Sequence, residues 1–137
     1  MSARSFFDTN VLLYSDDSSA PAKRRVALHM IAQHRAAGTG VLSTQVLQEY
    51  FVGATKKLHV DAATARRKVE LLAEFDVVVP DVADVLAAID LHRLHQVSLW
   101  DGLIVQSARR AGCRVLFTED LQTGRTLDGV RVENPFI

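Results

Sequence analysis

Short apolar runs alternate with longer stretches of helical periodicity along this chain, and most of the runs stop at a residue able to start a helix. Ser5-Phe6-Phe7 halts at Asp8, with a helical start at Val11-Leu12-Leu13. Gly40-Val41-Leu42-Ser43 is a second run, Val77-Val78-Val79 a third closed by Pro80, and Arg114-Val115-Leu116-Phe117 a fourth. Runs this short and this apolar suit strands buried on both faces. Between them, Lys23 to Ala37 predicts a helix, with Pro21 at a first helical position and Gly38 and Gly40 beyond its end. Thr44 to about Lys57 puts Val46, Leu47, Tyr50, Phe51 and Ala54 at helical spacing. Asp61 predicts the cap of a helix through Val69, Leu72 and Phe75, and Asp81 that of a helix carrying Val85, Leu86 and Ile89. A last helix begins near Ser98 and stops at Gly112, with Trp100, Ile104, Ala108 and Ala111 on one face. Val130-Arg131-Val132 predicts a short edge strand.

Strands alternating with helices predict an α/β fold, a mostly parallel central sheet flanked by helices. The 137 residues fit one domain over 1–137, with no repeat or linker to divide it. Sixteen basic residues balance sixteen acidic ones, so no global charge draws this chain to nucleic acid, and any such binding has to be patchy. Lys23, Arg24, Arg25, Lys56, Lys57 and the Arg66-Arg67-Lys68 run are the candidates, and each equally suits a solvated helix face. Cys113 is the only cysteine, which excludes an intrachain disulfide and suits a reducing compartment. Its place between Gly112 and an apolar run is that of a small buried hydrophobe. No window approaches the about 20 apolar residues of a membrane span, and the N-terminus lacks a secretory pattern. The chain reads as cytoplasmic.

Four acids change the picture. Asp8 ends the first strand and Asp120 lies just past the fourth. Glu49 follows the second strand within about two helical turns, and Asp101 opens the helix that leads into the fourth. In a parallel sheet the strand C-termini share one edge, where open α/β sheets bind ligands. Asp8 and Asp120 meet there if their strands are neighbours, and Glu49 can project toward the same edge. Asp101 joins them if its helix starts on that side. Clustered carboxylates repel one another unless protons or cations neutralise them, and hard oxygen donors favour Mg²⁺ or Mn²⁺. Such ions activate water against a phosphodiester. Each acid also has a plainer reading. Asp8-Thr9-Asn10 is good capping chemistry, Ser98 to Asp101 has the spacing of a capping box, and Glu49, Glu119 and Asp120 suit solvated positions.

Other chemistries find no support in the chain. There is no glycine-rich phosphate loop, zinc-ligand spacing or nucleophile elbow. His29, His34, His59, His92 and His95 lack the company of a ligand set and are read as surface or partly packed residues.

Asp8-Thr9-Asn10-Val11-Leu12, Ser43-Thr44-Gln45-Val46-Leu47-Gln48-Glu49, Trp100-Asp101-Gly102-Leu103-Ile104 and Thr118-Glu119-Asp120-Leu121 together resemble the signatures of the PIN domain. More narrowly the chain resembles the VapC-type ribonuclease toxins of bacterial toxin–antitoxin pairs. Glu119 to Gly124, followed by Asn134-Pro135-Phe136, is similar to one branch of them. The resemblance spans essentially the whole chain in order. It implies that Asp8, Glu49 and Asp101 are the core acids. Asp8 and Asp101 would be the chief metal ligands, Glu49 a ligand through water or a base-like helper, and Asn10 a polar residue shaping the site. Glu119 and Asp120 compete for the fourth acid, and the Glu-Asp-Leu-Gln string favours Asp120. The implied activity is Mg²⁺-dependent (or Mn²⁺-dependent) cleavage of RNA by a homodimer restrained by a cognate antitoxin. Two rivals stand beside it. An aspartyl-phosphate phosphatase would use Asp8 as nucleophile but wants an acid where Asn10 stands, and a non-catalytic module would bind RNA or protein without needing the full set of acids.

Overall fold

The computed structural model describes residues 3–137. Its sheet is built around β1 (Ser5–Phe7), whose three residues are all buried. On one side β1 pairs in parallel with β2 (Gly40–Ser43), and β2 with β3 (Asp76–Val78). On the other it pairs in parallel with β4 (Val115–Phe117), and β4 with β6 (Val130–Glu133). A two-residue strand, β5 (Thr126–Leu127), runs antiparallel to β6, giving the order β3-β2-β1-β4-β6-β5. The chain winds outward from β1 to β3 and then returns to the other side of β1 at β4. The gap between the C-termini of β1 and β4 is therefore the point where winding reverses, the usual ligand crevice of an open α/β sheet.

Six helices fill the connections: α1 (Thr9–Tyr14), α2 (Pro21–Ala37), α3 (Thr44–Lys56), α4 (Ala62–Leu72), α5 (Val82–His95) and α6 (Leu99–Arg110). Local chemistry fixes their starts. Pro21 opens α2, and Asp8, Ser43, Asp61, Asp81 and Ser98 accept backbone N–H groups at the heads of α1, α3, α4, α5 and α6. Phe6, Phe7, Val41, Leu42, Leu116 and Val132 supply the buried sheet, against which Leu12, Tyr50, Leu72, Ile104 and Ala108 pack from the helices. Cys113 is buried, and the loss of water pushes its thiol up to about 12, so it serves as a packed hydrophobe.

The structure departs from the sequence expectations in four places. The fourth helix ends at Leu72, and Phe75 lies beyond it with its ring edge-on to Phe7. The third strand runs from Asp76 to Val78, because β2 ends at Ser43 opposite Val78 and leaves Val79 without a partner. β6 is not the edge, since β5 covers it through a hairpin in which Asp128 and Gly129 both have positive φ. Trp100 leaves the buried face of α6 and is 62% exposed, while Ile104 and Ala108 stay inside.

Candidate active site

The site grows from the residue that ends β1. Asp8 is only 5% exposed, yet it both caps α1 and faces β4. Its Oδ1 accepts the Thr9 N–H at 2.7 Å, and its Oδ2 accepts the Thr118 hydroxyl at 2.8 Å and the Asn10 amide at 3.3 Å. Burial raises the Asp8 carboxyl to about 7, with Asp120 and Asp101 adding to the rise and the hydrogen bonds from Thr118 and Thr9 opposing it. The capping and clustering readings of Asp8 thus hold together.

Thr118 directly follows β4 and is fully buried. Besides donating to Asp8, its hydroxyl oxygen accepts the Asp120 N–H at 3.1 Å and the Asn10 amide at 3.0 Å. The Asn10 amide also reaches Asp120 Oδ2 at 3.1 Å, so this one side chain bridges the acids that follow β1 and β4. Asp8 and Asp120 do meet, because β1 and β4 are neighbours.

Glu49 arrives from α3. Its Oε1 accepts the Thr9 hydroxyl at 2.7 Å and its Oε2 the Gln45 amide at 3.2 Å. The same Gln45 nitrogen donates to the Trp100 carbonyl at 3.2 Å, tying α3 to the first turn of α6. In that turn stands Asp101, whose N–H is capped by Ser98 Oγ at 3.0 Å. Only this half of a capping box forms there among the described residues, whereas Asp81 and Asp84 complete both halves at the head of α5. The Asp101 carboxyl is raised by partial burial and by the charges of Asp120 and Glu49, against the pull of the Ser98 hydroxyl. Asp101 therefore starts on the acid side of the sheet, where the charges of Asp120 and Glu49 reach it, and those of Asp120 and Asp101 reach Asp8.

Glu119, the competitor for the fourth position, points elsewhere. Its carboxylate accepts the Tyr14 hydroxyl at 2.6 Å and the Lys23 ammonium at 3.0 Å. Burial works to raise it, but Tyr14 and Lys23 together hold it below the usual range. Thr9, Thr118, Gln45 and Tyr14 are the contributors that sequence reasoning did not single out. For Thr118 a signal existed: it occupies after β4 the position that Asp8 occupies after β1.

A groove of about 630 Å³ opens beside the acids, and Thr9, Asn10, Glu49, Asp120, Lys57 and Leu58 are among the residues that line it. Of the candidate basic residues, Lys57 lines this groove and Lys23 stands at Glu119. Lys68 is instead bound to Ser15 and Asp16, and Arg66 to Glu70. His34 Nδ1 contacts the Thr39 hydroxyl as a half-buried residue, and the exposed His92 turns its Nδ1 to the Val97 carbonyl.

The donor set suits a hard divalent cation. All its charged members are carboxylates, burial and mutual repulsion raise Asp8 and Asp101, and a cation would relieve both. Among the described residues no three His, Cys, Asp or Glu side chains already close on one point as a metal cage. Mg²⁺ tolerates such a site, since it keeps several waters and takes few protein ligands.

Comparison with known proteins bears on the fold and the family. No curated protein is significantly similar in sequence. Among solved structures, a toxin–antitoxin complex from Klebsiella pneumoniae contains a similar chain with a TM-score of 0.68 at 22% identity, over 96% of this chain and 97% of the other. DNA-bound VapBC from Salmonella typhimurium gives 0.69 at 19% identity, over 98% and 99%. VapC20 of Mycobacterium tuberculosis, described as a Sarcin-Ricin loop cleaving toxin, gives 0.63 at 18% identity, over 85% and 91%. At such identities these likenesses speak for the fold. The sequence itself matches the PIN domain over residues 5–126, and the chain belongs to that family.

Proposed function

We propose that this protein is a Mg²⁺-dependent (or Mn²⁺-dependent) endoribonuclease, the toxin of a toxin–antitoxin pair acting in the cytoplasm. The observation that carries the reading is the convergence of Asp8, Glu49, Asp101 and Asp120, brought from four separate segments to the edge where β1 and β4 diverge. Asp8 and Asp101 would hold the cation directly, with Glu49 and Asp120 reaching it through water. When bound, the cation supplies Lewis acidity and lowers the pKa of a water molecule. The chain's own residues do the rest. Thr9 and Gln45 fix both oxygens of Glu49, leaving its outer lone pairs to orient a water and take up its proton. Asn10 and Thr118 hold Asp8 and Asp120 in register. Lys57 provides positive charge along the groove for the RNA backbone.

The antitoxin as partner is supported by neighbours described as toxin–antitoxin and VapBC complexes. A homodimer is supported by α5, which leaves Val82, Val85, Leu86 and Ile89 exposed on one side. The phosphatase reading is weakened by Asn10, whose amide is committed to bridging acids where a general acid would be needed.

The test is a cleavage assay on total RNA with Mg²⁺, with Mn²⁺ and with chelator, comparing wild type with Asp8→Asn. Fragments that need both the cation and Asp8 support the reading. Intact RNA under all conditions, from folded wild-type protein, leaves the non-catalytic module in its place.

A further inference from the structure

Beside the acids lies a group of side chains that the reaction itself does not use. Lys23 Nζ bonds the Glu119 carboxylate at 3.0 Å and the Tyr14 hydroxyl at 3.2 Å, closing a triangle with the 2.6 Å bond from Tyr14 to Glu119. Lys23 also stands 4.6 Å from the centre of the Tyr14 ring and 5.6 Å from that of Phe136. Those two rings pack edge to face, with centroids 4.9 Å apart. The turn after β4 is thereby fastened to α1, α2 and the C-terminal segment at once. Surface pairs contribute little singly, but a network sharing one anchor restricts the backbone it holds.

That backbone bears directly on the acids. The Glu119 N–H donates to Asn10 Oδ1 at 3.2 Å. This contact fixes which way the Asn10 amide faces: with its oxygen engaged by Glu119, its nitrogen points to Asp8 Oδ2, Thr118 Oγ1 and Asp120 Oδ2. A flipped amide would aim an oxygen at two carboxylates. The next residue in the turn is Asp120, whose N–H is fixed on Thr118 Oγ1.

We propose that Glu119 is a positioning residue, a latch that through Tyr14 and Lys23 aims Asp120 and orients the Asn10 amide, rather than a ligand of the cation itself. The latch rests on the ribonuclease reading above and deepens it. Lys23 offsets the charge of Glu119, so the latch adds little repulsion to the acids it serves.

The experiment is a double-mutant cycle on the full chain. Mn²⁺ affinity is read by calorimetry and RNA cleavage by initial rates, with the folded fraction matched by circular dichroism. Outer residues that orient metal ligands typically cost about 10- to 100-fold in metal affinity or activity when removed. Glu119→Ala is expected to weaken Mn²⁺ binding by about 10-fold, with Glu119→Gln, which keeps an acceptor for Tyr14, losing less. Tyr14→Phe is expected to lose part of the same affinity, and serves as the second variant if Glu119→Ala folds poorly. In an Asp120→Asn background, Glu119→Ala should cost clearly less than in wild type, because only the route through Asn10 to Asp8 is left for it to disturb. Equal, additive losses in both backgrounds, or a Gln variant as damaged as the Ala, would make Glu119 an independent ligand and overturn the latch. Unchanged Mn²⁺ affinity in Glu119→Ala would overturn it as well. Wild-type protein that neither binds Mn²⁺ nor cuts RNA would overturn the ribonuclease reading, and the latch with it.

Discussion

Burial lifts the Asp8 carboxyl to about 7, and the neighbouring charges of Asp120 and Asp101 add to that rise. Because the folded pKa lies above the unfolded one, the folded protein holds more protons between about pH 4 and pH 7, and its stability falls as pH rises through that window. In chelator, the wild-type unfolding midpoint is therefore expected to drop between about pH 4 and pH 7, by more than it does in Asp8→Asn. A parallel decline in the two proteins, followed by thermal melts at fixed salt, would show that Asp8 is not the group responsible. Asp101 presents the complementary case. Losing a helix cap costs about 0.5–2 kcal/mol, but the cap of α6 is Ser98, and Asp101 receives it through a backbone N–H that asparagine also has. Asp101→Asn should thus melt close to wild type while RNA cleavage falls by orders of magnitude, compared at matched soluble protein. Cleavage near the wild-type rate would reduce Asp101 to a helix-start residue.

At the scale of elements, the position of Asp101 depends on how closely α6 approaches α5. A Cβ built on Gly102 would lie 2.7 Å from the Ala88 carbonyl oxygen, and a backbone atom in a helix cannot swing aside. Gly102→Ala is therefore expected to destabilise the protein by about 1–3 kcal/mol, despite the helix propensity of about 1 kcal/mol that alanine gains over glycine. A denaturant midpoint at or above that of wild type would contradict this packing account. The strands β1, β2 and β4 and the six helices are legible in the sequence, since the runs of β1 and β2 end at capping residues and each helix carries its own spacing or cap. Hairpin β5–β6 has a local sign in Asp128-Gly129, whose positive φ values suit the tight turn that pair favours, although the strand pattern itself covers only Val130 to Val132. Less local features were out of reach. Trp100 shares the spacing of Ile104 and Ala108, yet it lies in the first turn, where its carbonyl meets Gln45 rather than the core. The convergence of four acids follows from strand order, which no single segment encodes. The different surroundings of Glu119 and Asp120 depend on Tyr14 and Lys23, more than 90 residues away along the chain from Glu119.

For the whole molecule, the winding reversal between β1 and β4 explains why a chain of balanced charge can carry a concentrated negative site. The acids lie in segments far apart in sequence: the parallel pairing of β1 with β4 brings Asp8 and Asp120 to one edge, and α3 and α6 bring Glu49 and Asp101 toward it. Folding in the absence of a cation works against their repulsion, so binding of a divalent ion should be linked to stability. Such a measurement needs no knowledge of the RNA that is cut. Thermal unfolding is recorded with chelator and with Mn²⁺ at about 100 times its dissociation constant, for wild type, Asp8→Asn and Asp101→Asn. Linkage then gives wild type about 2.7 kcal/mol, or roughly 10 °C. Both variants should lose most of that shift, and Asp8→Asn should melt above wild type in chelator because one buried charge is gone. A midpoint indifferent to Mn²⁺, in wild type as in both variants, would contradict the claim that these carboxylates form one cation site.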